Sequence, residues 1–147
     1  MMTMRLGDRS PIGHAWAALL LRILVGWVFL TEGVQKFLFT ETLGVGRFTK
    51  IGIPYPHITA PFVGVVEIAC GILLIVGLVT RFATIPLLID IGVAIATTKV
   101  PMLVHQGFWP AMHEGRTDFC MLVGLIAILC IGPGRISCDT RRFMDGE

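Results

Sequence analysis

Residues 19–39 read LLLRILVGWVFLTEGVQKFLF. The stretch is long and apolar enough for a membrane-crossing helix, which needs about 20 predominantly apolar residues. It nevertheless carries Arg22, Glu32 and Lys36. A charge in hydrocarbon is costly, so such residues face a protein interior or a watery cavity. The segment predicts a membrane helix with an inward face, and the rest of the chain has to supply what receives three charges.

The composition agrees. Hydrophobic residues make up 54% of the 147 and charged residues 15%, where an ordinary soluble domain carries about 25% charge. There is too little polar surface to clothe a water-soluble globule, and a polytopic membrane protein in a lipid bilayer is expected. The net charge of +2 comes from scattered residues with no basic stripe, which argues against nucleic acid as a partner. Asn is absent, Gln occurs only at 35 and 106, and Ser only at 10 and 137. Polar interactions within the apolar runs must therefore come mainly from Thr and charged side chains. Arg5 and Arg9 before an apolar run resemble a secretory signal, but the run is too long, Arg22 interrupts it and no small-residue cleavage site follows. It is expected to be the first span.

Four helices are predicted, at about 14–39, 58–79, 82–104 and 115–132, forming one transmembrane domain over 1–147. The fold class expected is an all-α membrane protein, a four-transmembrane-helix bundle in antiparallel up-down order. The fourth apolar run, 117–131, is short and is expected to recruit part of the preceding AMHEGR; GPG at 132–134 stops it. Only Thr80 and Arg81 join the second and third segments, which forces a tight helical hairpin. The longer loops, TETLGVGRFTKIGIPYPH and HQGFWPAMHEGR, then share one side. Outside the spans, the terminal side holds Arg5, Arg9, Arg81, Arg135, Arg141 and Arg142. The long-loop side holds Arg47, Lys50 and Arg116, with Lys36 and Lys99 at helix ends. The excess places both termini in the cytoplasm, and the bacterial inner membrane is the expected location. Trp16, Tyr55 and Trp109 read as interfacial anchors.

A helix rises about 1.5 Å per residue, so position gives depth. Counted this way, Arg22 and Asp90 lie about 10–12 Å from the cytoplasmic edge and Glu67 near mid-membrane. Arg22 is expected to be received by Asp90, Glu67 or both. Glu32, Lys36, Lys99 and Asp118 form a second layer near the outer face, with Glu32 and Lys36 as i,i+4 neighbours in the favourable order. Gly26 and Gly33 on the first segment, Ala60, Gly64, Glu67 and Gly71 on the second, and Cys120, Gly124 and Ala127 on the fourth form small-residue faces that allow close helix approach. Glu67 thus points at a neighbouring helix. Each of these charges can equally be a packing device without chemistry, and Lys36 and Lys99 can snorkel to the interface.

Cys70, Cys120, Cys130 and Cys138 form no C-x-x-C and read as small hydrophobes; only Cys70 and Cys130 share a depth. His14, His57, His105 and His113 lack metal-ligand spacing, and no metal site is expected. No dinucleotide fingerprint or phosphate-binding loop is present.

Three motifs in order resemble the DoxX family. Arg22, Gly26, Gly33 and Lys36 match its R-x3-G…G-x2-K pattern, and Glu67, Gly71, Gly77 and Arg81 match E-x3-G-x5-G-x3-R. Gly132, Pro133, Gly134, Arg135, Ser137 and Asp139 match the terminal G-P-G-R-x-S-x-D, and VHQGFW resembles the third loop. The resemblance covers nearly the whole chain. It implies a small four-helix membrane subunit associated with membrane oxidoreductases, including a thiosulfate:quinone oxidoreductase, or with receptor assembly in distant relatives. Glu32, Asp90 and Lys99 depart from the family pattern.

The leading expectation is a membrane subunit of a quinone-linked oxidoreductase complex. Glu67 and Asp90 would handle protons, and Arg22, Glu32, Lys36, Lys99 and His105 would bind the ligand. No redox cofactor is encoded, so electrons would come through other membrane or peripheral subunits, and a quinone is the ligand class. The alternative is a non-catalytic assembly or structural subunit of a larger complex. A small-solute carrier is disfavoured, because four helices without an inverted repeat make a thin pore.

Overall fold

A computed structural model describes residues 11–139; Arg5, Arg9, Arg141 and Arg142, used above for orientation, lie outside them. The described chain is helical, without strands. Helix α1 runs Pro11–Leu38, a short α2 Val45–Lys50, and α3 Pro56–Val76. Helix α4, Thr80–Ala94, continues through a π-helical turn, Ile95–Lys99, into α5, Val100–Gln106. Helix α6 is Phe108–Ile131. The predicted segments at 14–39, 58–79, 82–104 and 115–132 correspond to α1, α3, the α4–α5 rod and α6. The loop at 40–57 had no predicted helix and contains α2.

Local chemistry sets the boundaries. Pro56 begins α3, a position where its missing N–H is no loss. Gly77 ends α3 with φ +75°, a left-handed conformation that glycine adopts without a Cβ penalty. Gly132 ends α6 with φ +82°. The α3–α4 turn is tight enough to hold Val79 at φ 45°, which is strained for a β-branched residue. The π turn has a cause in Pro101. A proline has no N–H for the carbonyl four residues back and its ring crowds that carbonyl. Widening the preceding turn relieves both.

Three stretches among the described residues are long and apolar enough to cross a membrane: Gly13–Leu38, Pro56–Val76 and Thr80–Gln106. Their outward residues are large and apolar, including Trp27, Phe62 and Phe82, each more than 60% exposed. Such surfaces are solvated by lipid. Helix α6 has 24 residues, but Glu114, Arg116 and Asp118 occupy its first half.

The α1–α3 pair forms the bundle's spine. A Cβ on Gly26 would lie 2.7 Å from the Gly71 carbonyl oxygen, and one on Gly33 would lie 2.7 Å from that of Gly64. The two backbones touch at both levels, as small residues permit. Helix α6 closes in at Gly124, where a Cβ would meet the Val25 methyl at 2.8 Å. Val25, Phe29, Cys70, Leu74, Leu87, Leu125 and Ile128 are buried together in the core.

Arg22 is only 1% exposed, but its expected partnership with Asp90 or Glu67 is not what the structure holds. Its Nε donates to the Leu74 carbonyl at 3.1 Å and one terminal nitrogen to the Ile136 carbonyl at 3.0 Å. The other terminal nitrogen donates to the Pro133 carbonyl. The reason is register. With Gly26 opposite Gly71 and Gly33 opposite Gly64, Arg22 is level with the last turn of α3, roughly 12 Å from the level of Glu67. Helix α1 overhangs the α3–α4 turn, so depth counted from its start misplaced Arg22. Asp139 completes this clasp. Its carboxylate accepts the backbone N–H groups of Val79 (2.6 Å) and Thr80 (2.9 Å), and its own N–H donates to the Gly77 carbonyl at 3.0 Å.

Candidate functional site

Near its turn the α3–α4 hairpin contributes Cys70, Leu74, Ala83 and Leu87 to the core. One turn farther from the turn, the packing opens into a cavity of about 440 Å³. This lies within the roughly 300–1,000 Å³ of ordinary small-molecule sites. Helices α1, α3 and α4 wall it, and the segment around α2 covers it on the long-loop side. Phe48 on α2 is buried, and Leu43, Ile51 and Ile53 flank it. Most of the wall is aliphatic or aromatic, with Thr59, Thr97 and Thr98 among the lining residues.

The polar part is concentrated. Lys36 Nζ lies 2.6 Å from Glu67 Oε2, and Glu67 is 3% exposed. Asp90 faces the same Glu67 carboxyl within side-chain hydrogen-bonding reach. Glu32, exposed, and Arg47, half-buried, also line the cavity. The sequence explains the convergence. Glu67 occupies the small-residue face of α3 that docks on α1, three residues from Gly64 and four from Gly71. A Cβ on Gly33 would lie 3.0 Å from the Glu67 Cβ. The close helix approach therefore presses the carboxylate against α1, where Lys36 one turn on from Gly33 reaches it. The tight hairpin places Asp90 level with Glu67.

Of the seven residues expected from sequence, Glu32, Lys36, Glu67 and Asp90 line the cavity. Arg22, Lys99 and His105 do not. Arg22 is held by the backbone carbonyls described above. Lys99 pairs with Asp118 on α6 at 3.3 Å, the second layer's other members having parted from it. His105 is exposed near the end of α5. Lys36 pairs with Glu67 and not with its i,i+4 neighbour Glu32: Glu67 is carried inward by the glycine contact, while Glu32 is exposed. Sequence reasoning missed Arg47, Phe48, Thr97 and Thr98. Pro101, close after Thr97 and Thr98, and the aromatic residue in VGRFTK were the available signals.

All four cysteines are free, so Cys70 and Cys130 are not bridged. Among the described residues, no group of three or more His, Cys, Asp or Glu side chains could hold a metal ion.

The DoxX family model matches residues 17–105. The chain is 51% identical over 127 residues to the uncharacterized membrane protein Rv3486 of Mycobacterium tuberculosis (strain ATCC 25618 / H37Rv), an alignment covering 82% of this chain and 78% of that one. It is 27% identical over 121 residues to a Bacillus subtilis (strain 168) protein named "Putative oxidoreductase CatD", covering 82% and 83% of the two chains. No solved structure matches at a significant level.

Proposed function

Because the chain belongs to the DoxX family, we propose that it is a membrane subunit of a quinone-linked oxidoreductase complex. One observation carries this reading: the Lys36–Glu67 pair and Asp90 sit together at the inner end of a cavity whose wall is mostly apolar. A quinone has the matching form, with a polar head that accepts hydrogen bonds and an apolar body. The name of the Bacillus relative supports the oxidoreductase class. Reducing a quinone to a quinol takes two electrons and two protons. The electrons come from a partner subunit with a redox centre. Glu67 and Asp90 supply or collect the protons, two carboxyls beside one ammonium being a cluster suited to exchanging them. Lys36 orients the cluster and polarises the head group.

In this reading α6 is the fourth span. Its 24 residues reach about 36 Å, with Asp118 tied to Lys99 within the bundle. Both termini lie in the cytoplasm, the α2 side faces outward, the location is the bacterial inner membrane, and residues 1–147 form one domain.

Glu67→Gln tests the role of the carboxylate, since it keeps the shape and removes the titratable group. The expected outcome is loss of quinone reduction in the intact complex with assembly unchanged. Full turnover rejects the proton role, and loss of assembly alone favours the structural-subunit alternative.

A further inference from the structure

The cavity has one closed side and one open side, and the difference specifies how it is filled. Toward the long loops the segment around α2 covers it, with Phe48 8% exposed, half-buried Arg47 in the cover and exposed Glu32 at its edge. Between α3 and α4 the rim is different. Phe62 on α3 and Ile89 on α4 line the cavity and are also 66% and 64% exposed, and Val93 on α4 is 46% exposed. All three belong to helical stretches apolar enough to cross a membrane. The gap between α3 and α4 therefore faces hydrocarbon, while the loop side is covered.

The hairpin accounts for the gap. Helices α3 and α4 are joined by three residues, 77–79, and bury Cys70, Leu74, Ala83 and Leu87 in a common core near the turn. Beyond that level Glu67 and Asp90 replace apolar side chains between them. Pro86, which lines the cavity within α4, removes one backbone hydrogen bond and bends a helix at such a position. Farther along, the α4–α5 rod is drawn toward α6 by the Lys99–Asp118 pair. The two helices are held together at one end and α4 is engaged elsewhere at the other.

We infer that the cavity is loaded sideways from the bilayer through the gap between α3 and α4, and that its occupant keeps an apolar tail in the lipid beside Phe62, Ile89 and Val93 while its polar head meets Lys36, Glu67 and Asp90. This rests on the quinone reading and narrows it to a tailed, membrane-dissolved quinone. A head group alone, arriving from water, would instead have to enter past the α2 segment, beside Glu32 and Arg47.

The test uses the full chain in lipid nanodiscs and a quinone whose alkyl tail carries a photoreactive diazirine. After irradiation, labelled residues are located by mass spectrometry, with and without an excess of unlabelled decylubiquinone. The expected result is labelling at Phe62, Ile89 and Val93 that is lost in the presence of the competitor. Competable labelling at Leu43, Phe48 and Ile51 instead overturns lateral loading and leaves the quinone reading standing. Absence of competable labelling at any cavity residue rejects the quinone reading, and the inference falls with it.

Discussion

At the scale of single residues, the cavity and the clasp treat buried charge in opposite ways. Arg22 gives its hydrogen bonds to backbone carbonyls, with the Asp139 carboxylate near its charge, whereas Glu67 receives a lysine directly at 2.6 Å. Removing one member of a buried pair leaves an uncompensated charge and costs about 3–5 kcal/mol, while replacing both with apolar groups is often neutral. Lys36→Met should therefore destabilise the protein in detergent more than the double variant Lys36→Met/Glu67→Leu, measured by thermal unfolding. Asp139 gives a pH-dependent counterpart. Burial alone would raise its carboxyl, but the N–H groups of Thr80 and Val79 and the Arg22 charge prevail and hold it below the ordinary range. A lowered folded value means stability that is present above the unfolded Asp value of about 3.9 and lost as pH falls through the lower folded one. Wild type should lose thermal stability as the medium is acidified from about pH 5 to pH 3. Asp139→Asn should start lower at neutral pH and change less over that window.

At the scale of elements, the glycines separate into those that contact and those that do not. Gly33 meets the Gly64 backbone, whereas a Cβ on Gly92 would meet nothing within 4 Å. Gly33→Ala should cost about 1–3 kcal/mol through overpacking. Gly92→Ala should be neutral or stabilising by up to about 1 kcal/mol, through helix propensity. Chemical denaturation of both variants beside wild type checks the contrast. The same glycines show what was legible in the chain. The spacing of Ala60, Gly64, Glu67 and Gly71 identified a docking face and the direction of Glu67, because close approach depends on side-chain size, which sequence records. The short connection between the second and third segments was legible as a tight hairpin, but depth counting set Asp90 beside Arg22, and only the structure brings it to Glu67. Helix α2 was not legible. Six residues cannot sustain a helix by propensity, and it exists because Phe48 is buried against the bundle. Arg22's partners were hidden for another reason: any residue can offer a carbonyl, so no residue type advertises one.

At the scale of the whole molecule, lipid takes the place that a polar surface would occupy. The long helices show large apolar side chains outward, and the charges gather inside or at the ends. The proposed orientation predicts that a tag following the C-terminus is protected from external protease in intact spheroplasts and cleaved once they are lysed. Cleavage of the tag in intact spheroplasts would reverse the arrangement and place the α2 side in the cytoplasm.

The clasp between Arg22 and the segment after α6 also fixes an order of events. A ribosome delivers Arg22 early and residues 133–139 only after every long helix has been made, and domains complete themselves as units during and after synthesis. Until Pro133 and Ile136 arrive, two of the three carbonyls that receive the guanidinium do not exist, and the strained turn at Val79 lacks the carboxylate that binds its N–H. The nascent bundle thus waits for its last segment before the Arg22 charge is settled. A chain cut short just past α6 would keep every described α-helix yet lack two of the carbonyls that hold Arg22 and the carboxylate that holds the turn at Val79.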